Sequence, residues 1–510
     1  MNLVDVKHFS FTYPNAKKVI NDLSFSLEKG EMLLLCGNNG CGKSTLLRSL
    51  KPETAPKGVR EGEMHVCQNS QILFQDCENN IIFRSAYEDL IFPACNSGMP
   101  EEKIKEKAAQ VLLLFGIEHL KDRDTSTLSG GEKQMLSLAA LLMLEPDLLL
   151  LDEPLAQLDE QAKAVFLEKL QLVQANGTAI IIAEHNTDDL LERAQKVLIF
   201  DNGKNTVYTK DMLPAAGVFP NMPAYVALEQ KLKLPVKSFT KQEAVENLRA
   251  CRENVGITPL TYNVPQTPAV LTCQDVTFSY GDAPVLENLS LQLRQGEIAF
   301  LTGANGAGKT TLLSLICGFS TPQSGNICLK KPHRIGYLAQ NPVYSFLKDT
   351  LIDDFRFLLK QNRLPESKIE ELFARYPMFS DLRALLEQNP LDLSGGERAK
   401  AAVFKLLLIG KDVLVLDEPE KHLDSGSMEE LSGIFRDLAA SGVSFLIVSH
   451  SPAFLYRTAH SVRYLSKGNL CDYTPQAYCT TLCPTPLYRA IQAADLPLLD
   501  IDEAEVTAHG

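Results

Sequence analysis

Gly37-Asn38-Asn39-Gly40-Cys41-Gly42-Lys43-Ser44-Thr45 is the stretch whose reading decides the fold. It follows the apolar run Met32-Leu33-Leu34-Leu35-Cys36 and precedes Leu46-Leu47. The glycines therefore lie between a buried strand and a helix that starts near Ser44. Gly-x4-Gly-Lys-[Ser/Thr] in that setting is a phosphate-binding loop. Its glycines let backbone N–H groups curl around phosphate oxygens, and the helix N-terminus adds partial positive charge. Lys43 adds a full one, and Ser44 offers a hydroxyl suited to Mg²⁺.

The whole set recurs. Gly303-Ala304-Asn305-Gly306-Ala307-Gly308-Lys309-Thr310-Thr311 is a second loop, again after an apolar run, Ile298-Ala299-Phe300-Leu301-Thr302. Lys43 and Lys309 are 266 residues apart; Ser129 and Ser394, and Asp152 and Asp417, are each 265 apart. A period this long marks a duplicated domain rather than a solenoid repeat. The 510 residues suit two domains plus extensions. The expected divisions are 1–204 and 269–468 for the domains, 205–268 for a proline-broken connector, and 469–510 for a tail with an acidic end.

Buried-strand runs Leu148–Leu151 and Val413–Leu416, then Ala179–Ala183 and Ser444–Val448, are separated by helical segments such as Glu101–Phe115. That alternation predicts an α/β fold with a mainly parallel sheet in each half. The strongest apolar stretch, Leu138–Leu151, is interrupted by Glu145-Pro146-Asp147 and is too short to span a bilayer. The N-terminus lacks the pattern of a secretory leader. A net charge of −13 argues against a nucleic-acid-binding surface. Twelve scattered cysteines read as reduced thiols of a cytosolic protein. Cys471, Cys479 and Cys483 lack a four-ligand metal spacing.

Asp152 and Asp417 end apolar strands, where a carboxylate can hold Mg²⁺ through water. Glu153 and Glu418 follow on the other face and can orient and polarise a water in line with a γ-phosphate. Cys41 sits within the first loop at a helix N-terminus, a place that lowers a thiol pKa, so selective reaction with thiol reagents is expected there.

Each half resembles an ATP-binding cassette (ABC) ATPase domain. The resemblance rests on Leu128-Ser129-Gly130-Gly131-Glu132-Lys133-Gln134 and Leu393-Ser394-Gly395-Gly396-Glu397-Arg398, which match that family's signature. The second copy continues Ala399-Lys400, without the glutamine. The resemblance implies that ATP and Mg²⁺ are bound, and adds to each half an antiparallel β part and a helical subdomain. It implies that Tyr13 and Tyr280 stack on adenine, and that Gln75 and Gln340 reach Mg²⁺ and the attacking water. Asp159 and Asp424 match the loop facing the partner domain; His185 and His450 match the histidine that contacts the γ-phosphate. It implies composite sites, in which Ser129-Gly130-Gly131 of one half and Ser394-Gly395-Gly396 of the other each close over ATP held by the opposite loop.

The stretch Asp76–Phe83 with Ala86–Phe92 resembles energy-coupling factor (ECF) transporter ATPases. That likeness implies a motor for import of a vitamin or metal ion, at the cytoplasmic face of the membrane. Its partners would be a transmembrane coupling protein and a substrate-binding membrane protein. Glu88 with Asp89, and Asp353 with Asp354, are then expected to meet basic residues of the coupling protein. The alternative is a soluble tandem ABC protein acting on ribosomes, suggested by Lys421-His422-Leu423-Asp424. DNA-repair ATPases would need a long coiled-coil or zinc insertion, which the sequence lacks.

Overall fold

Two kinds of apolar run, alternating and continuous, sort into two kinds of sheet in each half. The computed structural model describes residues 2–14, 18–38, 40–74, 80–155, 158, 160–184, 187–201, 204–217, 219, 222–223, 225–226, 229, 240–250, 263–281, 283–304, 306–330, 334–466 and 468–482. They form two compact units, one up to residue 250 and one from residue 263.

In the first unit, β1 (Val4–Thr12), β2 (Lys18–Leu27) and β4 (Val59–Val66) make an antiparallel sheet in the order β2-β1-β4. A six-stranded sheet contains β3 (Met32–Gly37), β5 (Ser70–Leu73), β6 (Leu148–Asp152), β7 (Ala179–Ala183), β8 (Lys196–Asp201) and β9 (Lys204–Thr209). Its order is β5-β6-β7-β3-β8-β9, parallel except for the β8–β9 hairpin. Leu34 lies opposite Ile182, and Leu35 opposite Leu198. Met32 to Cys36 are fully buried, because a central parallel strand is covered on both faces and reads as an unbroken apolar run.

Helix α1 (Lys43–Ser49) leaves β3 through the glycine-rich loop. Phe9, Phe11 and Ile20 of the antiparallel sheet pack with Leu33, Leu46 and Ile181 into one core beneath that loop. Helices α2 (Ala86–Asn96), α3 (Glu101–Phe115) and α4 (Gly130–Leu142) form a helical part, and α5 (Glu160–Ala175) precedes β7. The long apolar stretch splits at Glu145, in the left-handed region at φ 48°, so Leu138–Leu142 end α4 and Leu148–Leu151 build β6. Among the described residues no helix is long and apolar enough to cross a membrane. Within the expected connector, α6 (Lys241–Ala250) is a helix.

The second unit repeats the plan. β10 (Ala269–Tyr280), β11 (Ala283–Arg294) and β13 (Ser324–Leu329) make the antiparallel sheet. β12 (Ile298–Thr302), β14 (Ile335–Leu338), β15 (Val413–Asp417), β16 (Ser444–Val448), β17 (Ser461–Ser466) and β18 (Asn469–Tyr473) make the larger one. Its order is β14-β15-β16-β12-β17-β18, so the sheet runs on past Gly468. The helices are α7 (Lys309–Ile316), α8 (Leu351–Gln361), α9 (Ser367–Arg375), α10 (Gly395–Leu408), α11 (Ser425–Ala440), α12 (Pro452–Thr458) and α13 (Pro475–Thr481). The α/β class with mainly parallel sheets, smaller antiparallel sheets and helical parts is thus present in both units.

Candidate functional site

Both glycine-rich loops join a central strand to a helix at the carboxyl edge of the sheet, where open α/β sheets bind ligands. Gly42 and Gly308 adopt φ 116° and 100° at the helix starts, a conformation that strains any residue with a Cβ. A Cβ on Gly37 would lie 2.6 Å from Cys41 Sγ, so the first loop also needs glycine for space. Lys43 Nζ donates to the carbonyls of Gly37 and Asn38, at 2.5 and 3.1 Å. Lys309 Nζ does the same to Gly303 and Ala304, at 2.7 and 3.0 Å. Each lysine is thereby held across its own loop.

Ser44 Oγ donates to Asp152 Oδ1 at 2.9 Å, and Thr310 Oγ1 to Asp417 Oδ2 at 3.1 Å. Both aspartates are 2% exposed. Burial, then the adjacent Glu153 or Glu418, pushes each carboxyl up to about 6. A raised carboxyl pKa means that the folded state favours the protonated form, so the ionised form destabilises the fold. That unfavourable contribution is absent below about pH 4 and fully present above about pH 6. Asp152→Asn and Asp417→Asn are each expected to stabilise nucleotide-free protein at pH 7.5, by up to about 3 kcal/mol, and to leave it unchanged at pH 4. Thermal melts across that range check this; a uniform shift at every pH would contradict it.

Glu153 and Glu418 lie in the left-handed region, φ 49° and 52°, and their N–H groups bond to Ala183 and Val448 carbonyls at 2.9 Å. The left-handed turn bends the chain out of strand geometry at the acid itself, at a cost of roughly 1–2 kcal/mol for a residue with a Cβ. Glu418 also faces Lys421 Nζ at 3.5 Å and His450 Nε2 at 3.8 Å. Burial acts upward on its carboxyl, yet Lys421, His450 and a hydrogen bond from Gln340 hold it below the usual carboxylate range. The structure therefore brings Gln340, Glu418 and His450 together beside Asp417.

Tyr13 Oη bonds to Thr45 Oγ1 at 3.0 Å, and Phe11 braces its ring edge-on at 4.9 Å. Phe278 braces Tyr280 in the same way at 5.0 Å. Both tyrosines keep an exposed face, 39% and 59%, available for stacking.

The signatures start helices. Ser129 and Ser394 are N-caps, each in a capping box with Glu132 or Glu397. Each glutamate accepts from its serine N–H at 2.8 Å. The glutamate at this position thus has a local reason: it satisfies a donor that the helix leaves unpaired. Gln134 is buried in α4; Ala399, which takes its place in α10, is buried as well, and the helix start is unaltered.

Two pairings were not legible in the sequence. Leu155 N–H donates to Glu184 Oε1 at 2.7 Å, whereas in the second unit Ser449 Oγ donates to Glu420 Oε1. Positions 155 and 420, and 184 and 449, are each 265 apart, so the buried acid has moved from one strand end to the other. Burial pushes Glu420 up to about 8. The exchange of acid between matched positions was the available signal.

Three expectations change. Asp89 is buried and accepts the N–H groups of Ile82 and Phe83, at 2.7 and 3.0 Å. Asp354 is fully buried, paired with Lys405, and accepts Leu347 N–H at 2.8 Å. Neither is free to meet a partner's basic residues; Glu88 and Asp353 remain exposed. Burial pushes the Cys41 thiol up despite nearby Lys43, so the expected thiolate reactivity is not supported. Asn39, Gln75, Asp159, His185 and Asn305 lie outside the described residues, as do Cys483 and residues 500–505. Among the described residues no three His, Cys, Asp or Glu side chains gather as a metal site.

The ABC transporter family profile matches residues 20–156 and 286–421, once in each unit. A Bacillus subtilis protein named for the ATP-binding role in HMP/thiamine import is 30% identical, with 92% of this chain and 90% of that protein covered. A Methanosarcina mazei ABC transporter ATP-binding protein is 29% identical, covering 93% and 89%. Among solved structures, an archaeal ABCE1 bound with Pelota on the ribosome superposes with TM-score 0.66 at 18% identity, covering 99% of this chain and 84% of that one. That last likeness shows the fold alone. The chain belongs to the ABC transporter family and is an ATPase with two such units in one polypeptide.

Proposed function

We propose that the chain is the ATP-hydrolysing subunit of a membrane importer for a small solute of the vitamin or metal-ion class. It would act at the cytoplasmic face, through a transmembrane coupling protein and a separate substrate-binding membrane protein. The observation that carries this reading is the near full-length similarity to a protein named for HMP/thiamine import. The duplicated motif sets support it, because both units retain a lysine, a hydroxyl and an aspartate in matching contact.

Mg²⁺ fits the residues present. A hydroxyl and a buried carboxylate converge at each strand end, and a second acid follows, so a cation would offset charge that burial disfavours. Ser44, Asp152 and Gln75 would hold it in the first half, and Thr310, Asp417 and Gln340 in the second. Bound there, it would neutralise charge on the β- and γ-phosphates. Lys43 and Lys309 would exchange their loop carbonyls for phosphate oxygens. Gly40, Gly42, Gly306 and Gly308 shape the backbone cradle, with Thr45 and Thr311 just inside each helix. Glu153 and Glu418 would accept a proton from the attacking water, and His185 and His450 would donate to the γ-phosphate. Glu418 is suited to this as an acid held in its ionised form.

Affinity purification of the tagged chain from detergent-solubilised native cells tests the assignment. Small integral-membrane proteins are expected to copurify, and the complex should survive high-magnesium ribosome removal. Recovery with ribosomal subunits and no membrane protein would favour the translation factor instead.

A further inference from the structure

The second unit holds a cleft of about 260 Å³ between α9, the C-terminal end of α10 and α11, away from the phosphate loop. Leu372, Leu406, Leu414, Leu438 and Val443 supply apolar wall, while Lys368, Arg375 and Lys411 supply positive charge. Glu371 is the lining acid, and Ser367 Oγ already donates to it at 2.8 Å. Tyr376 is buried at the cleft and its hydroxyl makes no well-formed hydrogen bond, lying next to the Arg375 guanidinium that stacks over its ring at 5.1 Å.

The first unit differs at the matching turn. After α4 the chain turns through Glu145, whose carboxylate pairs with Lys107 of α3. That hydrogen bond holds Glu145 below the usual carboxylate range. After α10 the same turn passes through Gly410, 265 residues on, at φ 57° against 48° for Glu145. The turn bonds also match: Glu145 N–H to Leu142 O at 3.1 Å, and Gly410 N–H to Leu407 O at 3.2 Å. A Cβ on Gly410 would meet one atom within 4 Å, Lys368 Nζ at 4.0 Å, and that lysine comes from α9, the helix preceding the signature helix as α3 does. By the 265-residue offset Leu372 replaces Lys107, so both members of the first unit's pair are gone; Lys368, matched to Lys103 one turn earlier, faces the turn instead. Among the described residues no carboxylate pairs with Lys368. Pro146 is replaced at the same turn by Lys411, which adds a further cation.

We propose that this cleft binds a small amphiphilic carboxylate, whose charged head pairs with Lys368 beside the Gly410 turn and whose apolar body lies against the leucines. The volume is slightly below the roughly 300–1,000 Å³ of drug-sized sites, so the ligand is a short alkyl or aryl acid. A charge-assisted hydrogen bond to the head fixes orientation, and apolar burial gives most of the affinity.

Sodium octanoate titrated calorimetrically into the full-length chain tests this, with acetate and 1-octanol as separate head and tail controls. Octanoate is expected to bind saturably at one site, at least tenfold more tightly than either control. Gly410→Glu rebuilds the internal acid, at a turn that tolerates glutamate in the first unit, and should weaken octanoate at least tenfold. Lys368→Met should do the same, and decides the matter if Gly410→Glu fails to fold. Both variants should keep wild-type ATP turnover, since neither residue touches the phosphate loops. No saturable binding, equal affinity for octanol, or unchanged affinity in a folded Lys368→Met variant would each overturn the proposal.

Discussion

Replacing Glu153 and Glu418 together by glutamine is expected to cut ATP turnover by about 10²–10⁴-fold while ATP binding persists. Glutamine keeps the shape but cannot take a proton from the attacking water. The lysine, hydroxyl and aspartate contacts at the phosphate loops involve neither glutamate, so affinity should hold. The left-handed φ at both positions is retained by a residue of the same branching. Glu418→Gln should also release Lys421 and His450, which the glutamate holds at 3.5 and 3.8 Å. The second-site single variant should therefore change the pH profile of residual turnover as well as its size. Single-turnover hydrolysis with separate equilibrium binding of ATP distinguishes the two effects. Turnover within threefold of wild type in the double variant would remove the general-base role from both acids.

Lys405→Met is expected to destabilise the second unit by about 3–5 kcal/mol, because it strands a buried carboxylate. Asp354 is fully buried, with Lys405 as its cation and Leu347 N–H as a backbone donor. Lys405 also donates to Ser345 O and lies 5.4 Å from the Phe346 ring, so α10 is tied to the loop before α8 through one ammonium group. The first unit meets the same problem differently. Ala140 stands at the matching place, and Asp89 accepts two backbone N–H groups. Pairing Lys405→Met with Asp354→Leu should restore much of the loss, since an apolar pair leaves no buried charge. Urea denaturation followed by probes placed in each unit would show it. A loss below 1 kcal/mol in the single variant would mean that water reaches Asp354.

The strands and loops were legible because their signals are local. Met32–Cys36 and Ile298–Thr302 are continuous apolar runs, and a strand covered on both faces needs that pattern. The starts of α4 at Gly130 and of α10 at Gly395 rest on an equally local pattern, serine followed three residues later by glutamate. Asp89 and Asp354 were misread as docking charges because a carboxylate near a helix start looks the same in sequence whether it faces water or backbone N–H groups. Cys41 was misread for a related reason: the helix-terminus field was visible in the sequence, but the burial that outweighs it was not.

The sequence by itself determined the duplication, the α/β class, the placement of each phosphate loop between strand and helix, and the residue types at both sites. These follow from short-range patterns and a constant offset of about 265 residues. Only the tertiary structure decided which groups face one another across elements distant in the chain. It joined Glu418 to His450, moved the buried acid from Glu184 to Glu420, paired Lys405 with Asp354, and set Lys368 beside Gly410, where the first unit has Glu145. Desolvation and charge pairing act over a few ångströms of space whatever the separation along the chain, so packing had to be seen before those charges could be assigned.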